Sequence, residues 1–97
     1  MLNIRQKKQL KARANTLSAK CLIGKDGLTE NLFKELDLVL EKDELLKVKV
    51  QRNCPLSLNE INIEILRVLH CDLVQSIGRV LVFYRKNKEK PQIKLVK

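Results

Sequence analysis

The sequence predicts one α/β domain with its elements in the order α-β-α-β-α-β-β. Three observations carry that prediction. Apolar residues recur at helical spacing in three segments, four shorter segments are apolar and rich in β-branched residues, and capping or turn residues separate them. The 97 residues make one domain of ordinary size, and a hydrophobic fraction of 44% is enough for a packed core.

The first helix is expected over residues 3–15. Leu10, Ala14 and Leu17 form a narrow apolar stripe at about 100° per residue, and Arg5, Lys7, Lys8 and Lys11 spread over the opposite side. Like charges three and four apart repel, and no acid nearby offsets them, so the helix calls for an external anion. A stripe this thin, without Trp or Phe, does not suit a membrane surface. Residues 19–23 are short, apolar and end in a β-branched residue, as a buried strand does.

The stretch C-L-I-G-K-D-G-L-T-E, residues 21–30, then passes from strand through a glycine-flanked turn to a helix start. Thr29 is the expected N-cap, with Glu30 in the first turn. Leu32, Phe33, Leu36, Val39 and Leu40 share one face of that second helix, which should end near Lys42. Glu30, Glu35, Asp37, Glu41, Asp43 and Glu44 read as its solvated face. Leu46, Val48 and Val50 alternate with Lys47 and Lys49, a strand with one dry and one wet face.

Residues 51–56, with Asn53 and Pro55, form a loop. Ser57 and Glu60 match a capping box, and Leu58, Ile61, Ile65, Val68 and Leu69 stripe a third helix ending near His70. Residues 73–77 and 80–84 are two strands around Gly78-Arg79, where glycine in the first central position suits a type II′ hairpin. Phe83 and Tyr84 are consecutive and therefore point to opposite faces. The domain is taken as residues 1–88, with residues 89–97 expected as a loosely held basic tail.

Charge is the most informative bulk property. The net charge is +9, and residues 1–25 hold seven bases and no acid. Residues 26–72 are net −4, and residues 73–97 net +6. Two basic ends around an acidic middle describe a polarised surface of the kind that binds a polyanion. Catalysis has few parts to work with: one histidine, and no G-x-S-x-G, H-E-x-x-H or Walker A pattern. Cys21, Cys54 and Cys71 have no C-x-x-C spacing and read as reduced thiols, so neither metal nor other cofactor is expected. No apolar run approaches the ~20 residues of a bilayer span, and the amino terminus has no secretory h-region. The expected setting is cytoplasmic, with no membrane partner and no small-molecule substrate.

The candidate site is the turn itself, Gly24, Lys25, Asp26 and Gly27. Glycine lets backbone approach a ligand closely, and the following helix start offers free N–H groups to an anion. Arg5, Lys8 and Lys11 of the first helix flank the turn in this reading, with Lys20 added and Lys47 and Lys49 as a second surface. Aromatic residues are few (Phe33, Phe83, Tyr84), so recognition should rest on phosphate, sugar and shape rather than on base stacking. A G-x-x-G loop also occurs in KH domains, where it joins two helices; here it joins strand to helix, which does not support that assignment.

Four segments together resemble a known family: Q-K-K-Q-L-K-A-R-A, C-L-I-G-K-D-G-L-T-E, E-L-L-K-V-K-V and L-V-Q-S-I-G-R-V-L-V-F-Y-R. In this order they look like the CRM domain, most closely its stand-alone bacterial form, the YhbY family, over about residues 2–88. The departures are mild, Leu46 where isoleucine is usual and Phe83 where leucine is common. The resemblance implies a mixed four-stranded sheet akin to the carboxy-terminal domain of translation initiation factor three. It also implies RNA binding, with large-subunit ribosomal RNA or pre-ribosomal particles as partner, through the loop at Gly24 to Gly27. Two other classes fit the charge pattern, a protein-interaction module docking on ribosomal or assembly proteins and a DNA-binding protein.

Overall fold

The structure, a computed structural model, describes residues 2–97. Its elements are α1 (Ile4–Ala14), β1 (Cys21–Ile23), α2 (Glu30–Asp43), β2 (Leu45–Val50), α3 (Leu58–Leu69), β3 (Asp72–Ile77) and β4 (Val80–Tyr84). The predicted order is observed, and each predicted boundary lies within two residues of the observed one. Local chemistry explains why. Thr29 accepts from the Leu32 N–H, and Ser57 and Glu60 close a reciprocal capping box. Gly78 has φ +57° while Arg79 does not take positive φ, as a type II′ turn requires. Asn3 and Gln6 form one further capping box, at the start of α1.

The four strands make one mixed sheet in the order β1-β2-β4-β3. β1 and β2 run parallel, joined by α2 as the crossover that parallel strands need; β2 pairs antiparallel with β4, and β4 with β3. A core on one face gathers Ile23, Leu46, Val48, Val50, Leu81 and Phe83 under α2 and α3. A second core on the other face gathers Leu45, Val74, Val82 and Tyr84 under α1 and Ile93. Phe83 and Tyr84 do point to opposite faces, and both are buried because both faces are covered.

Two expectations change. The wet face of β2 is not fully wet, because α1 lies across β2, β4 and β3 on that side. The terminal stretch expected to be loosely held is packed: Ile93 is buried, Gln9 exchanges hydrogen bonds with the backbone of Lys94 and Val96, and Gln6 donates to Val96. A short apolar series, Ile93 and Leu95, supplies the contact that a basic composition hides.

Glu44 organises that packing. It ends α2 in the left-handed region at φ 63° and has no exposed surface, unlike the other acids of its helix. Its carboxylate accepts from the backbone N–H groups of Asn87 at 2.7 Å, Gln92 at 2.6 Å and Ile93 at 2.7 Å. Burial pushes its pKa up, but those three donors and nearby Lys86 outweigh burial and the net shift is downward. A depressed carboxyl stabilises the fold above its ordinary titration range, and that contribution is lost as pH falls through the folded value. Glu44→Gln puts an amide nitrogen against N–H donors and should cost about 2 kcal/mol at neutral pH. The gap from wild type in urea unfolding should narrow well below the ordinary carboxylate range; an equal gap at both pH values would rule out the charge as the holding force.

Candidate nucleic-acid interface

Three connections meet at one end of the sheet: residues 24–29, residues 51–57 and the hairpin turn at Gly78-Arg79. Backbone bonds tie them, from Gln51 N–H to the Ile23 carbonyl at 2.8 Å and from Val50 N–H to the Arg79 carbonyl at 2.8 Å. The Arg79 guanidinium donates to the carbonyls of Val50 and Gln51, both at 2.9 Å, so this base is committed to the scaffold.

A cleft of about 600 Å³ opens here, lined by the Gly24 to Gly27 turn, Leu22, Glu35 and the amides of Gln51 and Asn53 among others. The start of α2 faces it, with its first N–H groups lacking intrahelical acceptors. The fold itself calls for glycine at position 27, and much less at position 24, where the nearest atom is the movable end of a side chain. Gly27 sits at φ +65° against Leu56, and a Cβ on Gly24 would stand 2.6 Å from the Gln51 side-chain oxygen. The charge of the cleft is mixed. Exposed Lys25 has no ion pair among the described residues, while Asp26 and Glu35 place two carboxylates on the walls. A phosphate approaching this turn therefore depends on backbone N–H groups, Lys25 and bases just outside the cleft, where Lys49 and Arg52 are exposed.

The bases of α1 form a separate patch. Arg5, Lys8 and Lys11 are exposed, while Leu10 and Ala14 face the sheet. None of the three lines the loop cleft. Lys11 instead borders, with Lys7 and Asn15, a groove of about 520 Å³ along residues 73–77 of β3. Lys20 stands apart from both, its ammonium 2.6 Å from Asp43 at the end of α2. The predicted site residues thus fall into a loop group, an α1 group and one paired lysine.

Lys47 and Lys49, two residues apart on one face of β2, have different roles. The Lys47 ammonium donates to the carbonyls of Ala14 at 3.2 Å and Leu17 at 2.9 Å, capping the end of α1. Lys49 lies beyond the end of α1 and is exposed. Their identical place in the alternating pattern hid the difference, since only the crossing of α1 creates it. Gln51 and Asn53, also missed, sit in a loop that no motif marks.

Nucleophilic chemistry finds little purchase. Burial pushes the Cys71 thiol up to about 12 and, with the Glu35 charge, raises that of Cys21. Among the described residues no three His, Cys, Asp or Glu side chains group as a metal would require. Among the described residues Phe83 and Tyr84 are buried, Phe33 is half-buried against the core, and only the His70 ring is exposed.

Fold and surface together define a small basic α/β module with a glycine turn beside a mixed sheet. The chain belongs to the CRS1 / YhbY (CRM) domain family, whose model matches residues 2–85. It is 36% identical over 95 residues to YqeI of Bacillus subtilis, named a probable RNA-binding protein, covering 98% of this chain and 99% of that one. A Haemophilus influenzae protein named RNA-binding protein is 36% identical over 88 residues, 91% of this chain and 89% of its own length. The solution structure of SAV1595 from Staphylococcus aureus, described as a candidate RNA-binding protein, superposes with a TM-score of 0.73 at 36% identity. It covers 99% of this chain and 100% of that one.

The two lysines of β2 should separate cleanly in unfolding experiments. Lys47→Met should lower stability by roughly 1–2 kcal/mol, having lost two charge-assisted bonds to a helix end. Lys49→Met should stay within about 0.5 kcal/mol of wild type. Equal losses would mean that the cap at Lys47 contributes nothing.

Proposed function

We propose that this chain is a cytoplasmic RNA-binding protein that holds the sugar–phosphate backbone of structured RNA and serves assembly of the large ribosomal subunit. Gly24, Lys25, Asp26 and Gly27 take one part of the backbone, and Arg5, Lys8 and Lys11 of α1 another, with Lys20 at the margin. It binds and positions RNA rather than transforming it. Membership of the family and the names of its relatives support RNA as the ligand.

One observation carries the mode of binding. Among the described residues none of the α1 bases is in an ion pair, while Phe83 and Tyr84 are buried and Phe33 is half-buried against the core. Unpaired cations with few stacking platforms favour phosphate-led recognition over sequence reading. Lys25→Ala should therefore weaken binding to every structured RNA alike. It should also flatten the plot of log affinity against log salt by somewhat under one unit. An unchanged slope would remove Lys25 from the interface.

The ribosomal assignment is tested by crosslinking in cells and sequencing the attached RNA. Enrichment of large-subunit ribosomal RNA is the expected result. Reads spread in proportion to cellular RNA abundance would overturn the assignment, and association that survives ribonuclease would favour a protein-docking module instead.

A further inference from the structure

The α1 side of the sheet is covered only part of the way along. α1 ends at Ala14, capped by Lys47, and one row of residues beyond that point crosses all four strands, exposed at Leu22, Lys49 and Ile77 and half-buried at Val80. The pairing registers define the row: Leu22 opposite Lys49, Lys49 opposite Val80, and Val80 opposite Ile77. Leu22 is 53% exposed and Ile77 63%, at the two ends of the row. The row spans three strand spacings, about 14 Å.

Its ends touch the two basic groups described above. Leu22 lines the glycine-turn cleft beside Lys25, and Ile77 lines the α1 groove beside Lys7 and Lys11. Lys49 stands within it. Where the row meets the end of α1 there is a slot of about 180 Å³ lined by the aliphatic Ala14, Ile77, Val80 and Val82 and the polar Asn15, Gln75 and Lys47. Aliphatic walls, two amides and flanking ammoniums complement one kind of ligand. A nucleotide presents an apolar face, a hydrogen-bonding edge and an anionic phosphate.

We propose that this strip seats a short unpaired segment of the RNA, with one base entering the slot. The segment runs from the α1 lysines across Ile77, Val80 and Lys49 to Leu22 and the glycine turn. The base meets the amides of Asn15 and Gln75 along its edge, and Lys49 neutralises a phosphate above the row. A slot of about 180 Å³ at the helix end is on the scale of one base and not of a pair, so the proposed segment is single-stranded. This rests on the RNA reading above, and it joins the two separated basic groups into one path.

The test compares two RNAs at fixed salt, a hairpin with a loop of unpaired uridines and a fully paired duplex of equal length. Wild type should prefer the hairpin. Ile77→Thr combined with Leu22→Thr, and separately Asn15→Ala combined with Gln75→Ala, should lower hairpin affinity roughly fivefold or more. Duplex affinity and thermal unfolding should not change, which controls for folding. Variants that keep the hairpin preference while wild type binds RNA would overturn the strip and leave the RNA reading standing. If wild type prefers neither RNA over a DNA duplex, that reading falls and the strip with it. Variants that alter only the oligomeric state would make the row a self-association face and overturn the proposal too.

Discussion

A sheet with apolar residues on both faces persists in water only when both faces are covered, and this chain has three helices for the purpose. α2 and α3 take one face, and α1 alone takes the other. An 11-residue helix cannot cover four strands along their length. The terminal segment makes up part of the deficit by placing Ile93 and Leu95 beside α1. The rest stays open at the end where the glycine turn, the hairpin and residues 51–57 converge. Cover at one end and exposure at the other are two results of the same shortage.

The buried carboxylate of Glu44 makes the arrangement possible. A charge without solvent is costly unless hydrogen bonds replace its water, and three backbone N–H groups do so here. Those donors belong to the segment that completes the second core, so the acid serves as an anchor. Nearby, Arg85 joins the end of β4 to α2 through Asp37 and Glu41 and donates to the Leu69 carbonyl. Lys20 answers Asp43 in the same way. Acids of α2 thus find partners within the protein, whereas among the described residues the bases of α1 form no ion pair. The asymmetry of the surface arises from which charges the fold consumes as much as from how many it has.

Much of the fold was legible because its signals are local. The Thr29 cap, the Ser57 and Glu60 box, the Gly78-Arg79 turn and the period-two run of β2 each depend on residues within a few positions of one another. The site was legible in part. The sequence reads the turn at Gly24 to Gly27 and the bases of α1 as one cluster, while the fold sets the turn at one cleft and Lys11 at another groove. The roles of Lys47 and Lys49 could not be told apart by pattern, and Glu44 looked like any other acid on a charged helix.

By itself, then, the chain's order of residues determined the number and kind of elements, their caps, the excess of positive charge and the family. Caps, turns and periodicity act over a handful of positions, so they survive reading in one dimension. Only the tertiary structure decided which lysine is spent on a helix end, which acid is buried, where the terminal segment rests and which row of the sheet stays largely exposed. Each of those depends on segments tens of residues apart meeting in space, and burial is a property of that meeting, not of any residue alone.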